Sequence, residues 1–366
     1  MTGFKPVENT LSPLSLKTLT IPSQNISSQY NRNQKNIFFS KADYPQILLS
    51  SSVHISIIKK YVKTICNKHF LKFPTEISFY KTSSFHWVFS INILGKKVFV
   101  KISKLPKFDF SLLKEACIYT YFQEKNLPSL KVYACELSKE NIPYGYIILE
   151  NAKGKTLFDL SKKRSLSSGM LSSFGKSLAG YHKITTKGYG QISAEELPKF
   201  KGLSSTWESY LLTNLDKHLQ ICKDEQIVSN QQVKVINNYM SYIKKLKKIP
   251  TVLLHGDVAN HNAFYSSGNL LLVDWGDAVV GDPIYDVAFW GTGAYINERW
   301  IAPFFQGYFN RRYLTDKEEF WYWIYYLRIC LAKTVVRLRF NSSSRVYNRN
   351  MFNRINNAVG ALNRIT

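Results

Sequence analysis

Two short apolar runs, each ending in a polar loop, constrain this chain more than any other feature. Val252–Leu254 stops at His255-Gly256-Asp257-Val258-Ala259-Asn260-His261-Asn262, and Leu270–Val273 stops at Asp274-Trp275-Gly276. Apolar runs of this length predict short buried strands. Asp257 then lies in a loop exposed at a strand end, with Asn262 five positions on. A hairpin brings Asp274 back beside both. The fold must therefore hold two carboxylates and an amide in one loop cluster.

Such a set suits phosphoryl transfer. That reaction asks a protein to neutralise triphosphate charge with metal, to position the γ-phosphate and to turn an acceptor hydroxyl toward a base. Oxygen ligands of this kind suit magnesium, which keeps several waters. One Asp or Asn alone in a loop is more commonly a helix or turn cap. Three at these spacings point to a site.

His255-Gly256-Asp257 with Asn262 resembles the catalytic loop of the aminoglycoside phosphotransferase family, the small-molecule branch of the kinase-like fold. Asp274-Trp275-Gly276 resembles that family's counterpart of the kinase DFG segment, and Gly281-Asp282-Pro283-Ile284-Tyr285-Asp286-Val287-Ala288 matches a family hallmark. The resemblance implies that Asp257 is the general base, or the group that orients the acceptor hydroxyl. It implies that Asn262 and Asp274 are the ligands for Mg2+ and that ATP is the donor. His255 is expected to brace the loop and His261 to be a bystander. Asp282 and Asp286 are expected to brace the metal loop.

Upstream, Val98-Phe99-Val100-Lys101-Ile102 places Lys101 in an otherwise apolar strand, and the next helix carries Glu115. In the kinase-like fold a strand lysine contacts the ATP phosphates and pairs with a helix glutamate. Lys97 and Lys104 sit at the strand ends. Tyr146-Ile147-Ile148-Leu149-Glu150-Asn151-Ala152 resembles the hinge, where main-chain atoms near Glu150 and Ala152 would meet adenine. The loop Thr82-Ser83-Ser84-Phe85-His86-Trp87 departs from the kinase pattern by having no glycine. Ser83 or Ser84 would donate to phosphate in its place. Leu178–Lys183 and Gly188-Tyr189-Gly190 extend the resemblance, which runs from about residue 53 to 340 and more loosely suggests a hygromycin-type subgroup.

The order of elements predicts an α+β, bilobal, protein-kinase-like fold. Helical spacing over 53–65 leads into strands at 77–80, 87–93 and 98–102, the last two joined by a turn at Leu94-Gly95-Lys96-Lys97. A helix over 110–125 and strands over 130–137 and 144–150 complete a small antiparallel-sheet lobe at 51–150. A larger, mainly helical lobe follows at 151–366, with helices over 171–183, 207–222, 232–247, 318–340 and 346–365. Residues 1–50 read as a flexible polar tail.

Of 366 residues, 45% are hydrophobic, which supports a packed core. The five cysteines are scattered and lack CxxC spacing, as in a cytoplasmic protein with reduced thiols. No secretory signal is visible, and the most apolar stretch, 320–340, is interrupted by Arg328 and Lys333, so no membrane span is expected. The net charge of +24 is spread along the chain and not clustered, so nucleic acid is not the expected partner. That charge opposes long-range attraction of a polycationic aminoglycoside. Asp277 and Glu298 are the best candidates to face an acceptor, with Glu208 also available. The expected partner is a small molecule bearing a hydroxyl; the oligomeric state is open. A non-catalytic nucleotide- or nucleic-acid-binding protein is the alternative. A protein kinase is disfavoured, because no activation loop or APE motif separates Asp274 from Gly281.

Overall fold

The computed structural model describes Pro13 and residues 55–82, 85–246, 249–293, 298–339 and 345–366. The polar tail read over residues 1–50 lies outside these, Pro13 apart. The chain divides into two compact units, one ending at Ala152 and one continuing from Lys153 to Thr366.

In the first unit, helix α1 (Ile55–Phe70) buries Ile58, Val62, Ile65 and Cys66. Those positions recur every three or four residues, so they form one face. The sheet is antiparallel in the order β1 (Glu76–Thr82), β2 (His86–Ile93), β3 (Lys96–Ser103), β5 (Tyr146–Glu150), β4 (Val132–Glu136). The β2–β3 turn is shorter than its sequence suggests. It consists of Leu94 and Gly95 alone, at φ 50° and 71°, and Lys96 already pairs with Ile93. Two successive left-handed residues match the right-handed twist of the strands they join.

Alternation along β3 separates two jobs. Val98, Val100 and Ile102 join Phe89, Ile91, Ile148 and the apolar face of α1 in one core cluster. Lys101 therefore points to the opposite face, where helix α2 (Asp109–Glu124) packs. Each such buried aliphatic side chain contributes about 1.5–3 kcal/mol.

The second unit is mainly helical, with α3 (Leu157–Lys162), α4 (Ser168–Tyr181), α5 (Trp207–Leu211), α6 (Leu215–Asp224), α7 (Asn230–Ser241), α8 (Ile284–Gly291), α9 (Glu298–Phe309), α10 (Asp316–Arg339) and α11 (Arg345–Ile365). Two small sheets support it. One is β6 (Lys155–Thr156), β10 (Ala263–Ser266) and β11 (Asn269–Leu272), with β10 central. The other runs β8 (Gly202–Ser204), β7 (Tyr189–Ile192), β12 (Val279–Gly281), β9 (Val252–Leu254). The two apolar runs thus belong to different sheets, and the hairpin forms between β10 and β11.

Two helices differ from the sequence reading. The stretch 207–222 is broken in two, because Asn214 adopts a left-handed conformation at φ 55°. Buried Arg328 of α10 takes up the carbonyls freed by the break, donating to Leu211 O at 2.6 Å and Thr213 O at 2.7 Å. Helix α9 was masked in the sequence by Pro303 and Gly307. It forms because its aromatic residues pack tightly: Trp290 stacks on Phe304 at 4.0 Å, and Phe174 of α4 meets the same ring edge-on at 5.3 Å. Glycines admit the contact, since a Cβ on Gly307 would strike Ser172 O and one on Gly175 would strike Phe304 O. No described helix is long and apolar enough to cross a membrane.

Candidate active site

The loop after β9 is set by a carboxylate further along the chain. Asp286, in the first turn of α8, is fully buried. Its Oδ2 accepts from His255 N at 2.6 Å and its Oδ1 from Gly256 N at 3.0 Å. His182, at the end of α4, is bonded to the same Oδ2 at 3.1 Å. The other nitrogen of His182 meets Tyr308 OH at 2.6 Å. Gly256 turns left-handed at φ 76°, and a Cβ there would strike Asp277 O. Only glycine permits this turn at this depth.

His255 completes the brace from inside. Asp257 N donates to its Nδ1 at 3.2 Å, so the ring proton resides on Nε2, which donates to Val273 O at 2.9 Å. The ring lies 4.6 Å from that of Trp275, whose indole donates to Leu272 O at 3.1 Å. His255 thereby ties the loop after β9 to the end of β11, and it is wholly buried.

Asp257, Asn262 and Asp274 are gathered by this scaffold. Asn262 Nδ2 donates to Asp257 O at 3.0 Å and to Asp257 Oδ2 at 3.2 Å. Asn262 O accepts from Val273 N at 2.9 Å, just beyond the Ala263–Leu272 pair of the hairpin. Asp274 follows directly. With Nδ2 directed at Asp257, Asn262 Oδ1 is the atom left to receive a cation. Asp274 is left-handed at φ 70° and ψ 55°, and its side chain does not cap the 3-10 turn that follows. A non-glycine residue held in that region costs of order 1–3 kcal/mol and persists where the surroundings impose it. Asp257 and Asp274 are half-buried, whereas His261 is exposed.

The remaining carboxylates are differently placed. Asp282 accepts from Tyr325 OH at 2.9 Å and from Ile284 N at 3.0 Å. Its burial raises its pKa, with those two bonds pulling the other way. Asp277 and Glu208 are half-buried, and the side chain of Glu298 lies outside the described residues.

In the first unit Lys101 Nζ meets both oxygens of Glu115 at 2.9 and 2.8 Å. Glu115 is 2% exposed in its side chain and Lys101 12%, so the pair is shielded and mutually fixed. Glu150 closes β5, its side chain accepting from Lys131 N at 3.2 Å. Ala152 is half-buried at the end of this unit. Lys97 is exposed and Lys104 half-buried. Ser83 and Ser84 lie outside the described residues.

Among the described residues no cluster of three or more His, Cys, Asp or Glu could hold a metal by itself. The donor set of Asn262 and Asp274 instead fits Mg2+, which is held by one or two protein oxygens together with phosphate and water. Sequence reasoning missed the cooperation of His182 and Tyr308 with Asp286, and also Asn260. Asn260 Oδ1 accepts from Trp290 Nε1 at 2.9 Å, and Asn260 O accepts from Phe158 N at 3.1 Å. Only the likeness of Leu178–Lys183 to the family hinted at His182.

The phosphotransferase enzyme family profile matches residues 87–321. A hygromycin-B 4-O-kinase from Escherichia coli is 24% identical over 237 residues, covering 62% of this chain and 64% of that protein. The match thus spans less than two thirds of the curated relative. A thermostable mutant of aminoglycoside phosphotransferase APH(4)-Ia, in ternary complex with AMP-PNP and hygromycin B, superposes with a TM-score of 0.61 at 20% identity. It covers 82% of this chain and 98% of that one. An amicoumacin kinase bound to AMP-PNP, Ca2+ and its ligand gives a TM-score of 0.56 at 13% identity, covering 84% and 96%. At these identities the structures establish a shared kinase-like fold.

Proposed function

Because this chain belongs to the phosphotransferase enzyme family, we propose that it transfers the γ-phosphoryl group of ATP to a hydroxyl of a small molecule. The observation that carries this reading is the bonding of Asn262 to Asp257 on one side and to the end of β11 on the other. It sets a candidate base next to two candidate metal ligands.

Asp257 orients the acceptor hydroxyl and takes its proton as the new O–P bond forms and the bond between the γ-phosphorus and the β,γ-bridging oxygen breaks. ADP leaves with that bridging oxygen. Asn262 and Asp274 hold Mg2+, which when bound neutralises charge on the phosphates. In the first unit Lys101, fixed by Glu115, receives phosphate oxygens. Main-chain atoms near Glu150 and Ala152 take the adenine, and Ser83 or Ser84 donates to phosphate. The AMP-PNP in two of the similar structures supports ATP as donor. The five free thiols fit a cytoplasmic setting.

Two variants separate the roles. Asp257→Asn should bind Mg-ATP nearly as the parent does, while ADP formation with an acceptor falls by about 10²–10⁴-fold. Asp274→Asn should weaken Mg-ATP binding itself, measured by calorimetry. Parent-like turnover in Asp257→Asn would remove the base from the account.

A further inference from the structure

Next to the Asp257 loop the helical unit presents cations. Lys333, half-buried on α10, donates from Nζ to Thr292 Oγ1 at 2.8 Å and lies 3.7 Å from the centre of the Phe289 ring. Arg354 of α11 donates to Thr292 O at 2.6 Å. Thr292 closes α8, and α8 is bound to the loop through Trp290 and Asn260. Of the charged groups around Lys333, Asp257 acts on it most strongly, and Arg337, one turn along α10, adds to the positive field. Among the described residues no carboxylate lies within ion-pair distance of Lys333 or Arg354.

Two readings compete. Cations at a helix C-terminus interact favourably with its dipole, and the first reading makes Lys333 and Arg354 caps of α8 and nothing more. Capping, however, uses one of the three ammonium donors of Lys333, and among the described residues its charge is met only by the Phe289 face and, beyond ion-pair distance, by Asp257. A half-buried cation in that condition is only partly compensated, and a bound anion completes the compensation. Burial lowers the Lys333 pKa to about 8, with Asp257 and Cys330 opposing and Arg354 and Arg337 reinforcing the fall, so it is cationic at neutral pH. Asp282 and Asp286, which could have made an acidic pocket, are occupied by internal hydrogen bonds.

We infer that the acceptor carries an anionic group, a phosphate or a carboxylate, received by Lys333 and Arg354 while its hydroxyl faces Asp257. This rests on the phosphotransferase reading for the hydroxyl, but not for the anion.

The test is a charge series on one polyol frame: glucosamine, glucose, gluconate and a hexose phosphate, with hygromycin B as a polycation. Each is titrated by calorimetry into the full chain holding Mg-AMP-PNP. Gluconate or the hexose phosphate should bind best, and which of them does identifies the anion. Lys333→Gln should weaken that ligand about ten- to hundredfold and leave glucose unchanged, whereas Lys333→Arg should retain the preference. Equal or tighter binding of the cationic members overturns the inference. So does a Lys333→Gln variant that melts earlier but keeps the same order, which is the capping result. Absence of binding by every member up to about 10 mM overturns it too. Transfer of labelled phosphate is read separately. Anion preference without transfer would remove the phosphotransferase reading and spare this one. Transfer confined to cationic acceptors would do the reverse.

Discussion

Asp286 accepts three hydrogen bonds, from His255 N, Gly256 N and His182, without exposure to solvent. Asp286→Asn turns an amide N–H₂ toward donors that need an acceptor. Loss of a buried acceptor of this kind costs about 1–3 kcal/mol, or roughly 2–4 °C of melting temperature per kcal/mol in a unit of this size. Differential scanning calorimetry should show that loss, accompanied by reduced turnover as the Asp257 loop relaxes. An unchanged melting temperature would mean the brace is not needed. The same residues show what could be read from sequence. Asp257, Asn262 and Asp274 stood out because their spacing along the chain is short. Lys333 and His182 did not, because helix packing, not local spacing, brings them to the loop.

Helices that break are harder to read than helices that run. The apolar spacing across 207–222 is continuous, but Arg328 stabilises the open carbonyls of Leu211 and Thr213 from a hundred residues away. Arg328 Nη1 also approaches His218 Nδ1 at 3.2 Å, leaving His218 Nε2 buried without a partner among the described residues. Burial and then the Arg328 charge lower the His218 pKa from 6.5 to about 3. The unfolded chain therefore binds this proton near pH 6.5 and the folded chain only near 3. Stability from this site is complete above 6.5 and is lost progressively as pH falls toward 3, by up to roughly 5 kcal/mol. Urea midpoints measured from pH 7 to pH 4 should fall, and His218→Gln should flatten that slope. An identical slope in the variant would place the acid sensitivity elsewhere. At the α4–α9 crossing, Gly307→Val should cost about 1–3 kcal/mol by forcing the two backbones apart. A variant as stable as the parent in urea would show that the helices can separate freely.

Over the whole molecule, the α+β class and the order of a sheet unit before a helical one followed directly from periodicity, since strand alternation and helical spacing survive in β3 and α1 as regular faces. The two small sheets of the second unit did not, because β6, β7, β8 and β12 are only two to four residues long and lack a period. The net charge of +24 appeared diffuse along the sequence. Folding brings Lys333, Arg337 and Arg354 into one field near Asp257. Phosphoryl transfer is followed at the γ-phosphate itself. Labelled ATP is incubated with the full chain and a panel of sugars, sugar phosphates, hydroxy acids, nucleosides and aminoglycosides, and products are identified by phosphorus NMR. Label should appear in a phosphate ester on an acceptor hydroxyl, formed by the parent and not by Asp257→Asn. Label appearing only as inorganic phosphate, or an ester formed equally by the variant, would contradict it.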